Sequence, residues 1–189
     1  MKFAIAIKKQ IILAVLTCAV VTTLSNSSMA QSQRAVELPE QCGKIEAPEG
    51  NKLAYHIYAT GVQVYVWDGS AWRFSGPIAD LYADPGYQAK VGTHYSGPTW
   101  KSVSGGLVIG KKKDECSPDP ASIAWLLLYA DEVDGAGMFS DTTFIQRLNT
   151  TGGKAPSYQG PYDGYWIGVP YTAEYYFYRS AGAQPQQAE

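Results

Sequence analysis

Side-chain alternation over a short stretch constrains this chain more than any other feature. Val62, Val64 and Val66 alternate with Gln63, Tyr65 and Trp67; Asp68-Gly69 follows, and Ser70-Ala71-Trp72-Arg73-Phe74 resumes the run. A period of two sends successive side chains to opposite faces of a strand. Asp-Gly between two such runs predicts a β-hairpin closed by a type I′ turn. Leu53, Tyr55 and Ile57 predict an earlier strand of the same pattern. Further strands are predicted at 78–82, 87–91, 99–103, 107–111, 142–148 and 171–179, with Asp84-Pro85-Gly86 and Ser104-Gly105-Gly106 as turns. The apolar run 123–130 fits a buried strand or a short helix, and its flanking Pro118, Pro120 and Gly135 favour a central strand. No fixed-period repeat or heptad pattern interrupts this reading. The expectation is an all-β chain: one antiparallel β-sandwich or barrel over residues 51–179, with little helix.

The first thirty residues follow another rule. Lys2, Lys8 and Lys9 precede an apolar run at 11–24, and Ser28-Met29-Ala30 closes the segment. A basic start, an apolar centre and a small-x-small ending describe an export signal, cut after Ala30. The run is short for a membrane span, so no stable membrane insertion is expected. The predicted location is secreted or periplasmic. Residues 31–50, with Pro39 and Pro48, read as an extended lead-in, and residues 180–189 as a frayed tail.

Removing the signal takes three lysines and no acids. Residues 31–189 then carry 12 basic and 17 acidic side chains, a net charge of −5. An acidic body argues against a nucleic-acid partner, which needs a basic patch. The one dense basic run, Lys111-Lys112-Lys113, reads as a solvated turn or a protected edge strand. Cys42 and Cys116 are the cysteines left, and in an oxidising compartment they are predicted to form a disulfide.

Motifs for cofactors and metals fail on context. Gly135-Ala136-Gly137-Met138-Phe139-Ser140 approaches a dinucleotide loop, but the strand-like Thr142-Thr143-Phe144-Ile145 follows where a helix is required. Residues 105–111 approach a phosphate loop, yet Lys112 stands where a magnesium-binding hydroxyl belongs. With two histidines and no paired-ligand spacing, no metal site is expected. The acidic group Asp131, Glu132, Asp134 and Asp141 reads as a solvated turn. No cofactor is expected.

The segments Gly61-Val62-Gln63-Val64-Tyr65, GTHYSGPTW at 92–100, AWLLLYA at 124–130, FIQRLNTTGGKAP at 144–156 and VPYTAEYYFY at 169–178 resemble the Domain of Unknown Function 3455 family in order and spacing. The resemblance covers roughly residues 45–179. It implies an exported bacterial or fungal protein and brings no established activity. The chain departs from the family where many members carry cysteines: Val66 takes the first position and Tyr158-Gln159-Gly160 replaces the second. Lys101 stands where an acid is common. Some fungal relatives carry a malate dehydrogenase label, which the failed dinucleotide loop does not support.

Two function classes then compete. The first is a binding module without chemistry, since aromatic side chains outnumber catalytic groups and their flat faces stack on sugars or other uncharged ligands. Its candidate residues are Tyr95, Trp100, Trp67 and Trp72, with Trp166 beside them and Gln146 and Asn149 as polar partners. Trp125 and Trp100 also read as core. The expected partner is a glycan or another small molecule. The second is a hydrolase with His94 as acid/base and Arg147 or Tyr95 stabilising developing charge. His94 also fits a structural role, bonded to backbone. An envelope-structural or adhesion role is a third reading. Geometry separates the first two: whether the 92–100 loop and residues 146–149 line one pocket.

Overall fold

A computed structural model describes residues 36–182. The expected export signal at 1–30 and the tail residues 183–189 lie outside them.

Eight antiparallel strands close into one barrel. They are β1 Asn51–Trp67, β2 Trp72–Tyr82, β3 Lys90–Tyr95, β4 Thr99–Ser102, β5 Leu107–Cys116, β6 Trp125–Asp134, β7 Thr142–Gly152 and β8 Trp166–Ser180. Each strand pairs with its sequence neighbour, and β8 returns to pair with β1 from Asn51–Ser180 to Val66–Trp166. The all-β expectation holds, and of the two predicted architectures the barrel is the one formed. The ambiguous run at 123–130 supplies strand β6. Among the described residues, no helix is long and apolar enough to cross a membrane.

Several local expectations are corrected. The 53–57 and 62–66 runs are one continuous strand, β1. The hairpin after it is not type I′. Trp67 pairs with Trp72, leaving the four-residue loop Asp68–Ala71, in which only Gly69 has positive φ, at 85°. The cause is the Asp68 carboxylate. It accepts the backbone N–H groups of Ser70 (2.9 Å) and Ala71 (2.7 Å) and pairs with Arg73 at 2.5 Å, an Asx-type turn that replaces the tight one. Asp84 acts alike on the strand predicted at 87–91. It accepts N–H groups from Gly86, Gln88 and Ala89, holds 83–89 as a loop, and delays β3 to Lys90. The 92–100 segment is not a loop but the β3–β4 hairpin with a three-residue turn at 96–98. Lys111-Lys112-Lys113 lies inside β5 and is not a turn: Lys111 and Lys112 pair with Tyr129 and Leu128 of β6, while the short β4 pairs only with residues 107–109 and leaves the run edge-like on its other side.

The chain builds two apolar layers. Inside the barrel, Ile57, Leu81, Trp100, Leu128, Ile145, Tyr175 and Phe177 form the main core with Phe139. Gly110 makes room for it: a β-carbon there would stand 2.9 Å from the Trp100 indole. A second core lies outside the wall, where Leu127, Leu148, Tyr176 and Tyr178 are covered by Cys42 and Ile45. The cover is a 3-10 helix, Glu40–Ile45, in what was expected to be an extended lead-in. The Cys42–Cys116 disulfide, with Cα atoms 5.5 Å apart, staples it to the end of β5.

Candidate functional site

Because the strands alternate in direction, the 68–71 and 96–98 turns and the 117–124 and 153–165 loops share one end of the barrel. Beneath them is an inner chamber of about 140 Å³. Its wall combines interior residues Gln63, His94, Trp100, Leu128, Arg147 and Tyr175 with Pro77 of β2 and Pro98 of the β3–β4 turn. A wider vestibule of about 550 Å³ adjoins it, and Gln63, Phe74, Leu126 and Arg147 line both spaces. Tyr65, Ile123 and Lys154 extend the vestibule toward solvent.

From Ile57 onward the odd-numbered positions of β1 face inward, so the alternation sends Gln63, Tyr65 and Trp67 to the interior and the valines outward. The inner wall is therefore aromatic and polar at this end. Gln63, Trp100 and Tyr175 are each at least 98% buried. The Gln63 Nε2, Trp100 Nε1, Tyr175 Oη and neighbouring Tyr171 Oη atoms are fully buried, and Tyr171 lies against both Tyr175 and Gln63, and Tyr175 against Arg147, in one polar cluster beside the chamber. Buried polar groups normally find partners, and leaving one bare costs about 1–3 kcal/mol.

His94 stacks on Trp100 with ring centroids 4.3 Å apart. Its Nδ1 donates to the Thr99 carbonyl at 2.8 Å, which leaves Nε2 as a lone-pair acceptor. Burial holds its pKa down to about 3, with the nearby Arg147 charge adding to the effect against the Thr99 bond. His94 is thus a neutral imidazole at physiological pH. Arg147 donates Nε–H and Nη2–H to the Ala124 carbonyl at 3.1 and 2.8 Å. No carboxylate of the described residues lies within ion-pairing distance of it. Its charge reaches Tyr175 and Tyr171 as well: burial pushes both phenols up, and Arg147 opposes the push.

The sequence-derived candidates divide into three groups. His94, Trp100 and Arg147 meet in the chamber. Trp67 and Trp72 are spent on anchoring the 153–165 loop: they pack edge to face, Gly160 lies flat on the Trp67 ring, and Trp72 Nε1 donates to the Tyr158 carbonyl at 2.7 Å. Gln146 turns to the outer core. Its Nε2 donates to the Ile45 carbonyl and its Oε1 accepts from Tyr178, so it holds the disulfide-stapled cover. Tyr95 lies on the face of β3 opposite His94 and is exposed. Asn149 sits exposed at a bulge in β7 with φ of 48°. Trp166 is exposed, and Trp125 packs against the outer core. Among the described residues there is no group of histidine, cysteine and carboxylate side chains able to hold a metal.

Gln63, Tyr175 and Leu126 belong to the site and were not among the candidates. One signal was present for Gln63: a lone amide on the face that otherwise carries Tyr65 and Trp67.

Fold and chamber together define a closed antiparallel barrel with a largely apolar cavity, carrying a few polar side chains, at one end. The profile of DUF3455, described as a protein of unknown function, matches residues 48–179, and the chain belongs to that family. No curated protein and no solved structure matches the chain.

Proposed function

We propose that this chain is an exported, non-catalytic binding protein that takes a small molecule into the barrel end. The observation that carries the reading is the chamber itself, an interior space whose mostly apolar wall carries Gln63, His94, Arg147 and Tyr175 among its lining residues. Apolar walls with a few convergent polar groups are the usual make-up of a ligand pocket. A space of this size accommodates a single aromatic ring; a cavity of about 150 Å³ admits benzene. A glycan stacked on flat surface tryptophans is less well supported, since Trp100 and Trp67 are buried. Acid/base catalysis is also less well supported. His94 stays neutral, and the one carboxylate near either space, Glu115 at the vestibule, is paired with Lys112 at 3.0 Å. The disulfide supports export, because such bonds persist in oxidising compartments.

The test is a thermal-shift and tryptophan-fluorescence titration with the neutral ring-sized probes benzyl alcohol and p-cresol. Stabilisation and a change in Trp100 emission are expected, both lost in Leu126→Trp, which fills the passage between the two spaces. No response to any ring-sized probe would end the reading.

A further inference from the structure

The chamber's charge selects among small molecules. Resting on the binding reading above, we propose that its ligand is a flat carboxylic acid, its apolar body against Trp100 and Leu128 and its carboxylate on Arg147. Three observations lead there.

The first is a guanidinium without a counter-charge. Arg147 lines both the chamber and the vestibule, and no carboxylate of the described residues pairs with it. A half-buried cation left alone loses hydration without compensation, so structures pair such groups or present them to an anion. The second is the use made of its donors. Nε–H and one Nη2–H both point to the Ala124 carbonyl, which fixes the plane of the group. Arg147 also reaches the Tyr175 hydroxyl, and the terminal-nitrogen edge of a guanidinium is the fork that grips a carboxylate by two parallel bonds.

The third is the sign of the surrounding groups. Arg147 is the charged side chain among the residues lining the chamber, and Gln63 and Tyr175 line it with that cation. A cation among polar neighbours suits a ligand rich in oxygen lone pairs. His94 Nε2 is an acceptor placed to receive a single O–H or N–H from the ligand. A neutral sugar would bring many donors of its own and meet few acceptors. A second charge would find no counter-charge among the residues lining the chamber.

The experiment compares phenylacetate with 2-phenylethanol by calorimetry at pH 7. The two probes share a ring and a two-carbon arm and differ in the carboxylate. Phenylacetate is expected to bind the wild-type protein at least about tenfold tighter. That gap is expected to collapse in Arg147→Met, with 2-phenylethanol still binding, and to be partly kept in Arg147→Lys, which retains charge without the fork. Equal binding of the two probes by the wild-type protein would refute the acid while leaving the binding reading intact. Failure of both probes at millimolar concentration would refute both, and mean that the chamber holds only water. A gap that survives in Arg147→Met would remove Arg147 from the proposal. The wild-type comparison decides the ligand class even if the Arg147 variants do not fold.

Discussion

His94 makes acid stability a direct readout of the chamber. The imidazole has a usual pKa near 6.5 and is held to about 3 in the folded protein. Unfolding therefore lets it pick up a proton between those values. The native state binds fewer protons there, so stability falls as the pH drops through the window and is unaffected above it. Each pH unit below 6.5 costs about 1.4 kcal/mol, or about 2 kcal/mol at pH 5. Against a typical stability of 5–15 kcal/mol, that is a large share from one side chain. His94→Asn removes the titration and offers an amide N–H near the position of Nδ1 for the Thr99 carbonyl. Urea unfolding followed by circular dichroism at pH 7 and pH 5 measures the difference. The variant starts less stable, having lost the stack on Trp100. Its further loss between the two pH values is expected to be about 2 kcal/mol smaller than that of the wild-type protein. Carboxylates such as Asp68 and Asp84 titrate in both proteins and cancel. Parallel losses in the two proteins would show that His94 is not desolvated as described, and would open the catalytic reading again.

Two further outcomes concern the outer core. Cys42→Ala with Cys116→Ala opens a bridge spanning 74 residues and is expected to lower stability by about 4 kcal/mol on the chain-entropy account, read as a shift in the urea midpoint. Tyr178→Phe leaves the buried Gln146 carbonyl oxygen without its 2.5 Å donor and is expected to cost about 1–3 kcal/mol by the same assay, with chamber binding unchanged.

Strand positions were readable because alternation and turn residues are local. The runs at 53–57, 78–82 and 142–148 all fall within observed strands. What alternation does not state is which face turns in. The valines of β1 look like the buried set, yet the closed wall sends Gln63, Tyr65 and Trp67 inside. The turns failed where a side chain competes with the backbone: Asp68 and Asp84 each collect several N–H groups and set loop lengths that dipeptide rules miss. His94 and Arg147 were picked as residue types able to do chemistry, and they do share a wall. Gln146, chosen on the same ground, lies one residue away and faces the other side. Its role depends on Ile45, a hundred positions earlier, and no local pattern encodes such a contact.

The pairing of β1 with β8 carries a cost in time. The first and last strands seal the wall along nearly their whole length, so the sheet has a gap until the residues around Tyr175 are present. Contacts this distant in sequence slow folding, because chain entropy is lost long before it is repaid. A chain made from its amino end therefore cannot complete its body en route. It must wait for its final aromatic strand, which also brings Tyr175 to the chamber wall, so the chamber is complete only with the last segment to emerge.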